Sequence, residues 1–248
     1  INAISAIGFL SIFLLPFRIG ELVRPYLLKK FYPDQIKISE GLATILVERI
    51  MDGIIVSVFL IIALILVSGT TNSKFYYEIK IASYISLIVF VFAIILLIVF
   101  FIFRNKIKNL FIMFTSKNSN SWKNRIISII ENFLNALKII PNKKYFFLFS
   151  ITSLIYWIVI GFNFYILSIG FSRNFSIPLS FMMVSSVVIG MLLPSSPGFV
   201  GSYWFFLLLP LQIYGSYTHN TQNIAYAIMV WFLQFFQYSV FALFFIIK

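Results

Sequence analysis

Residues 42–67 read LATILVERIMDGIIVSVFLIIALILV, a run that is apolar apart from Glu48, Arg49, Asp52 and two small polar residues. At about 1.5 Å per residue, this run reaches roughly 39 Å as a helix, which is long enough for a tilted passage through a bilayer. A charge at the centre of a span costs about 2.5–3.5 kcal/mol on insertion scales. The run therefore predicts a membrane-spanning helix whose charges need partners or a cavity.

The composition of the whole chain agrees, since 61% of its 248 residues are apolar and 10% are charged. Soluble domains carry about 25% charged residues, and a globule of this size cannot cover so much apolar surface. The composition therefore argues strongly against a soluble enzyme or a soluble nucleic-acid-binding domain. The net charge of +12 lies between apolar runs, as in the cytoplasmic loops of membrane proteins, so no nucleic-acid partner is expected.

Four long apolar runs predict an all-α, polytopic transmembrane helical bundle that forms a single integral membrane domain over residues 1–248. Three shorter runs, at 1–16, 177–193 and 202–214, are marginal or too short for an ordinary span. They predict interrupted or re-entrant segments. The long runs are 42–67, 81–103, 145–169 and 224–247.

Two basic segments, 17–40 and 104–144, are expected to face the cytoplasm, which predicts a multi-pass protein of the plasma (cytoplasmic) membrane. Within the second segment, apolar residues recur at helical spacing over 123–140. This predicts an amphipathic helix, either on the membrane surface or against the cytosolic ends of the spans. Because the chain opens with Ile1 inside an apolar run, we expect it to be N-terminally truncated.

Two short runs end in proline and glycine breaks, PFRIGELVRP at 16–25 and PSSPGFVG at 194–201. Backbone groups freed by such breaks are tolerated inside a bilayer only where protein or a water-filled cavity covers them. Paired breaks therefore predict a transporter-type cavity; ordinary loops are the alternative, and an inverted repeat stays a hypothesis. The residues predicted to shape the cavity are Pro16, Gly20, Pro194, Ser195, Ser196, Pro197, Gly198 and Gly201.

Charged residues gather around the first break. Glu48 and Asp52 share a helix face and repel each other unless a cation lies between them. Arg49 lies about 100° around the helix, which leaves Arg18 or Arg24 as better partners. We predict a network at the membrane edge that binds a lipid phosphate, because the planar arginine fork suits oxyanions; a purely structural ion network is the alternative. Its members are Arg18, Glu21, Arg24, Glu48, Arg49 and Asp52.

Patterns for catalysis and metal binding are missing from the sequence. It has no cysteine, a single histidine, no acid cluster with metal spacing and no Walker-type glycine loop. Ser195 and Ser196 have no evident base to activate them. We therefore expect no catalytic residue, metal or cofactor, and a transporter rather than an enzyme. A paired-carboxylate mechanism at Glu48 and Asp52 stays open.

Three stretches, 16–24, 47–52 and 194–201, occur in an order and at distances that resemble one family. It is the lysylphosphatidylglycerol synthase transmembrane, or flippase-like, family, which includes the membrane half of the multiple peptide resistance factor. The resemblance spans residues 1–247. It implies a flippase or translocase that moves anionic or lipid-linked headgroups across the cytoplasmic membrane.

The resemblance implies membrane lipids as partners, either anionic phospholipids or polyprenyl-linked lipids. It does not imply lysyl-lipid synthesis, because the soluble aminoacyl-transfer domain of the resistance factor is absent from this sequence. Many relatives also place a glutamate shortly after the second break, where this chain reads Ser202-Tyr203-Trp204. This departure suggests a different lipid if that glutamate contacts a cationic headgroup.

Two other functions stay open at this stage. One is a membrane-embedded accessory subunit that presents a lipid-linked substrate to a separate glycosyl- or aminoacyl-transferase and docks it through residues 123–140. The other is a structural membrane protein whose charges only set its topology. Self-association into a homo-oligomer also stays open.

Overall fold

The part of the chain that the computed structural model describes is helical throughout, with short connections and no strand within it. The predicted all-α class is confirmed. The amphipathic helix expected over 123–140 lies outside the described residues. These are residues 2–33, 35–66, 74–103, 106, 143–173, 175–192, 196–213 and 221–247.

Eight α-helices and two 3₁₀ segments make up the described ranges, in the following order. They are α1 (Asn2–Leu14), the first 3₁₀ segment (Pro16–Leu22), α2 (Val23–Phe31), α3 (Ile38–Leu66), α4 (Lys74–Ile102), α5 (Lys143–Gly170), α6 (Ile177–Gly190), the second 3₁₀ segment (Pro197–Phe199), α7 (Ser202–Ile213) and α8 (Thr221–Ile247).

Four of these helices, α3, α4, α5 and α8, are long and apolar enough to cross a membrane. Helix α3 is the central one, because 44% of its most apolar window is buried inside the protein, against 6–11% for the other three. The outer faces of α4, α5 and α8 carry exposed isoleucine, leucine and phenylalanine side chains. Such faces are suited to contact with lipid chains rather than water.

The first break folds α1 and α2 into a hairpin. Leu15 is extended, as expected before a proline, and Pro16 starts the 3₁₀ segment that turns the chain back. Gly20 then lies against the backbone of Ser11, and the Arg24 side chain crosses Gly8. Because residue 20 lies beside residue 11 and residue 24 lies beside residue 8, the two arms of the hairpin run antiparallel. Helix α2 therefore ends beside the start of α1, at the end of the bundle where α3 begins.

The second break forms a matching hairpin from α6 and α7. A serine caps α6, with a proline in its first turn, and the helix ends at Gly190, where the Phe206 ring packs directly on the backbone. Nearer the start of α6, Met182 packs with Leu209 of α7 and with Leu60 and Leu64 at the end of α3. This hairpin therefore enters the bundle from the end where α3 finishes.

The tips of the two hairpins meet inside the bundle. Phe13, next to the first break, packs edge-on against Phe199 in the second, with ring centroids 5.7 Å apart. One small cleft is lined by Arg18 of the first hairpin, Asp52 of α3 and Leu192, which follows α6. Asp52 is the central residue of α3, so two hairpins entering from opposite ends meet at about the level of its middle.

Gly20 supplies a test of the first hairpin. A Cβ atom there would lie 2.2 Å from the backbone of Ser11, which cannot move aside as a side chain can. We expect Gly20→Ala to lower stability by about 1–3 kcal/mol or more through overpacking. Gly170→Ala is the matched control, since no described neighbour lies within 4 Å of a Cβ atom at that position. Thermal unfolding in detergent measures both, and equal unfolding temperatures would contradict the hairpin packing.

Candidate functional site

The first 3₁₀ segment delivers two of the predicted charges. Arg18 has a φ of 57°, a left-handed conformation that costs a non-glycine residue about 1–2 kcal/mol. Arg18 and Glu21, three residues apart, both line a cavity of about 320 Å³. Because α2 starts directly after the segment, Arg24 follows in its first turn and lines the same cavity. The strained turn thus lies where the charged side chains converge.

All six predicted charged residues line this one cavity, and their side chains are 18–27% exposed. The structure therefore brings together the whole set that the sequence analysis grouped. Three residues come from the first hairpin and three from α3. Glu48, Arg49 and Asp52 occupy the middle of this long helix, at least ten residues from either end, so the network lies deeper than the membrane edge predicted from the sequence.

Arg24 and Glu48 form a hydrogen-bonded ion pair. The arginine donates from Nη1 to Glu48 Oε2 at 2.8 Å and from Nη2 to Oε1 at 3.4 Å, a two-pronged geometry. The guanidinium also lies 5.6 Å from the centre of the Phe9 ring. This pair joins the first hairpin to α3, and its hydrogen-bonding groups largely satisfy each other.

The other three ionic contacts of the network are longer. Glu21 Oε1 lies 3.6 Å from Arg18 Nη1 and 3.8 Å from Arg49 Nε, and Arg49 Nη1 lies 3.8 Å from Asp52 Oδ2. None of these contacts has hydrogen-bond length. Arg18 Nε, Arg49 Nε and Glu21 Oε1 are buried without a hydrogen-bond partner in the described part of the protein. Two arginines therefore keep donors for a further acceptor.

Asp52 is held from the opposite side by α5. Ser153 Oγ donates to Asp52 Oδ1 at 2.7 Å, and Trp157 Nε1 donates to the same oxygen at 2.9 Å. The two donors are four residues apart and so share one face of α5. These bonds fix the carboxylate, which in turn orients Arg49.

The other wall of the cavity is aromatic and polar without charge. It includes Tyr203 of α7 and Gln234 of α8, where the tyrosine hydroxyl donates to Gln234 Oε1 at 2.9 Å. Gln234 Nε2 donates to the Tyr238 hydroxyl at 3.5 Å, and that hydroxyl lies 3.4 Å from the hydroxyl of Tyr156. The cavity thus has a charged side and a neutral side.

The second break lies beside the cavity. Gly198 and Gly201 have φ values of 68° and 85°, which favour glycine, and Trp231 Nε1 donates to the Gly198 carbonyl at 2.7 Å. Ser196 Oγ donates to the carbonyl of Val200 at 2.8 Å. This turn holds Phe199 against the cavity-lining Phe13, whereas the described residues of the motif, Ser196, Pro197, Gly198 and Gly201, are not among the cavity-lining residues. Pro194 and Ser195 lie outside the described residues.

Among the described residues, no three histidine, cysteine or acidic side chains gather closely enough to hold a metal ion.

Comparison with known families supplies the remaining observation. A family model described as the lysylphosphatidylglycerol synthase TM region matches residues 3–242. The chain belongs to this family. No curated protein and no solved structure gives a significant match. Membership confirms the resemblance drawn from the three motifs, and with the apolar helices it makes the chain a membrane-embedded, multi-pass protein of the lysylphosphatidylglycerol synthase TM family.

Several residues that complete this family member's cavity were not predicted from the sequence. Ser153 and Trp157 gave a usable signal, because a polar pair at four-residue spacing in an apolar span needs a buried partner. Gln234 and Tyr238 repeat that pattern in the last span. The role of Arg49 between Glu21 and Asp52 was also unforeseen, since the spacing pointed to Arg18 and Arg24.

The ion pair of Arg24 and Glu48 can be tested by a double-mutant cycle. Arg24→Leu leaves the Glu48 carboxylate unpaired in a partly buried site, so we expect a loss of about 2–4 kcal/mol in stability. Adding Glu48→Leu removes that charge and should restore most of the loss, because two apolar side chains suit the site. Thermal unfolding in detergent gives the four values. Additive losses in the double variant would contradict a direct pair.

Proposed function

We propose that the chain is a lipid flippase or translocase that moves phosphate-bearing lipid headgroups across the cytoplasmic membrane. The observation that carries this proposal is the cavity in the middle of the bundle, where Arg18 and Arg49 have buried donors without hydrogen-bond partners among the described residues. Membership of the lysylphosphatidylglycerol synthase TM family supports a lipid as the molecule that is handled.

The chemistry of the headgroup explains why such a cavity is useful. An ionised phosphate in hydrocarbon loses its hydration at a cost of tens of kcal/mol by simple Born estimates. Guanidinium groups replace that hydration, because each presents N–H donors in a plane that matches two phosphate oxygens. The acidic residues Glu21 and Asp52 lie beside the two arginines and orient them.

The two hairpins supply a route. Each enters from its own end of the bundle, and their tips meet beside the cavity. Displacing one tip at a time would open the cavity toward one membrane face and then the other, as alternating access requires. We assign the open end of the first hairpin, with Lys29, Lys30 and Lys37, and the basic segment 104–144 to the cytoplasm, which makes the first hairpin the cytoplasmic one.

The proposal is tested by reconstitution in liposomes with a fluorescently labelled phosphatidylglycerol and a membrane-impermeant quencher. We expect the wild-type chain to expose the inner-leaflet label, and Arg18→Gln with Arg49→Gln to slow this at least about tenfold. A hydrogen bond to a charged group is worth about 1.5–3 kcal/mol, and this variant removes two charged donors.

Lys30→Gln with Lys144→Gln is the control, because both lysines are exposed and lie away from the cavity. It removes the same amount of positive charge and should leave the rate unchanged. Equal slowing by both variants would mean that general charge, not the cavity, governs movement. No movement by a folded protein would favour the accessory subunit that presents lipid to a transferase.

A further inference from the structure

The neutral side of the cavity is the second feature that a ligand would meet. Tyr156, Tyr203, Gln234 and Tyr238, here called the hydroxyl wall, come from three different helices and converge on one space. Nothing in the proposed handling of a phosphate uses them. Polar groups in an apolar span are costly, so their convergence points to a ligand group on this side.

The hydroxyl wall offers both donors and acceptors. Tyr203 fixes the amide of Gln234 through a 2.9 Å bond to Oε1, which leaves the NH₂ group directed toward Tyr238. The contacts from Gln234 to Tyr238 and from Tyr238 to Tyr156 are long, at 3.5 and 3.4 Å. Long bonds leave these groups able to accept and donate to a ligand.

A cationic headgroup fits this cavity poorly. The three carboxylates already face guanidinium groups: Glu48 is bonded to Arg24, and Glu21 lies between two arginines. Asp52 accepts two hydrogen bonds from α5 in addition to its contact with Arg49. An ammonium group would have to compete with arginine for each acid. It has only donors, so it would also leave the Gln234 amide donors unmatched.

We propose that the preferred headgroup is a phosphate ester of an uncharged, hydroxyl-rich group, either a polyol or a sugar. Its phosphate would lie at Arg18 and Arg49, and its hydroxyls on the hydroxyl wall, since each hydroxyl both donates and accepts. This inference rests on the proposed function, because it assigns a chemical class to the same cavity.

The test is binding of short-chain lipids to the purified chain in detergent. The probes are dihexanoyl phosphatidylinositol, phosphatidylmethanol and phosphatidylethanolamine, and soluble inositol 1-phosphate. The first two lipids carry the same single negative charge and differ in hydroxyls, so their affinity ratio isolates the hydroxyl wall. We expect the inositol lipid to bind at least about tenfold more tightly than either other lipid, from several hydrogen bonds of about 0.5–1.5 kcal/mol each.

Gln234→Leu should reduce this ratio about three- to tenfold, because it removes one or two hydrogen bonds to the inositol hydroxyls. Gln237→Leu is the matched control, because it lies on the same helix, is exposed and lies outside the cavity lining. Tyr238→Phe, which keeps the ring, should reduce the ratio in the same direction if Gln234→Leu fails to fold.

The outcomes separate the two proposals. Equal binding of the three lipids, or tightest binding of phosphatidylethanolamine, with loss of binding in Arg18→Gln/Arg49→Gln, would overturn the hydroxyl-rich headgroup and keep the lipid site. No binding of any lipid would overturn the proposed function as well. If inositol 1-phosphate binds as tightly as the lipid, the headgroup chemistry holds and the lipid source is wrong.

Discussion

Charge in the middle of an apolar helix is the constraint on which this structure depends. Glu48, Arg49 and Asp52 lie near the centre of α3, where a charge needs a partner from the protein or a cavity that admits water. Apart from the contact between Arg49 and Asp52, their partners come from other segments inside the bundle. The first hairpin brings Arg24 to Glu48, and α5 brings Ser153 and Trp157 to Asp52. The broken helix and the cavity follow from this requirement.

The network combines one hydrogen-bonded ion pair with several longer ionic contacts. Arg24 and Glu48 bond at 2.8 Å, while the contacts of Glu21 with Arg18 and Arg49 are 3.6 and 3.8 Å long. A fully bonded cluster would hold the helices together but would leave nothing for a ligand. A fully open cluster would leave several charges unsatisfied. The division allows one part of the network to support the fold while another part keeps binding capacity.

Much of this architecture follows from the sequence because length and hydropathy determine where helices can cross a bilayer. The four spans, the two breaks and the clustering of the charged residues are all readable from apolar runs, prolines and rare charges. The exact ion pairs are not, because the partner of Arg49 depends on the turn at Arg18 and on the depth of the hairpin. The contribution of Gln234 is likewise a tertiary property, since one amide in an apolar span does not identify the face it meets.

The contact of Gly20 with the Ser11 backbone has a mechanical consequence. With Arg24 also lying across Gly8, the two arms of the first hairpin leave no space to slide past each other. The two arms would therefore move as one rigid unit. If this unit moved away from α3, the ion pairs Arg24–Glu48 and Glu21–Arg49 would lengthen at the same time. The two ion pairs would therefore break together and not one by one.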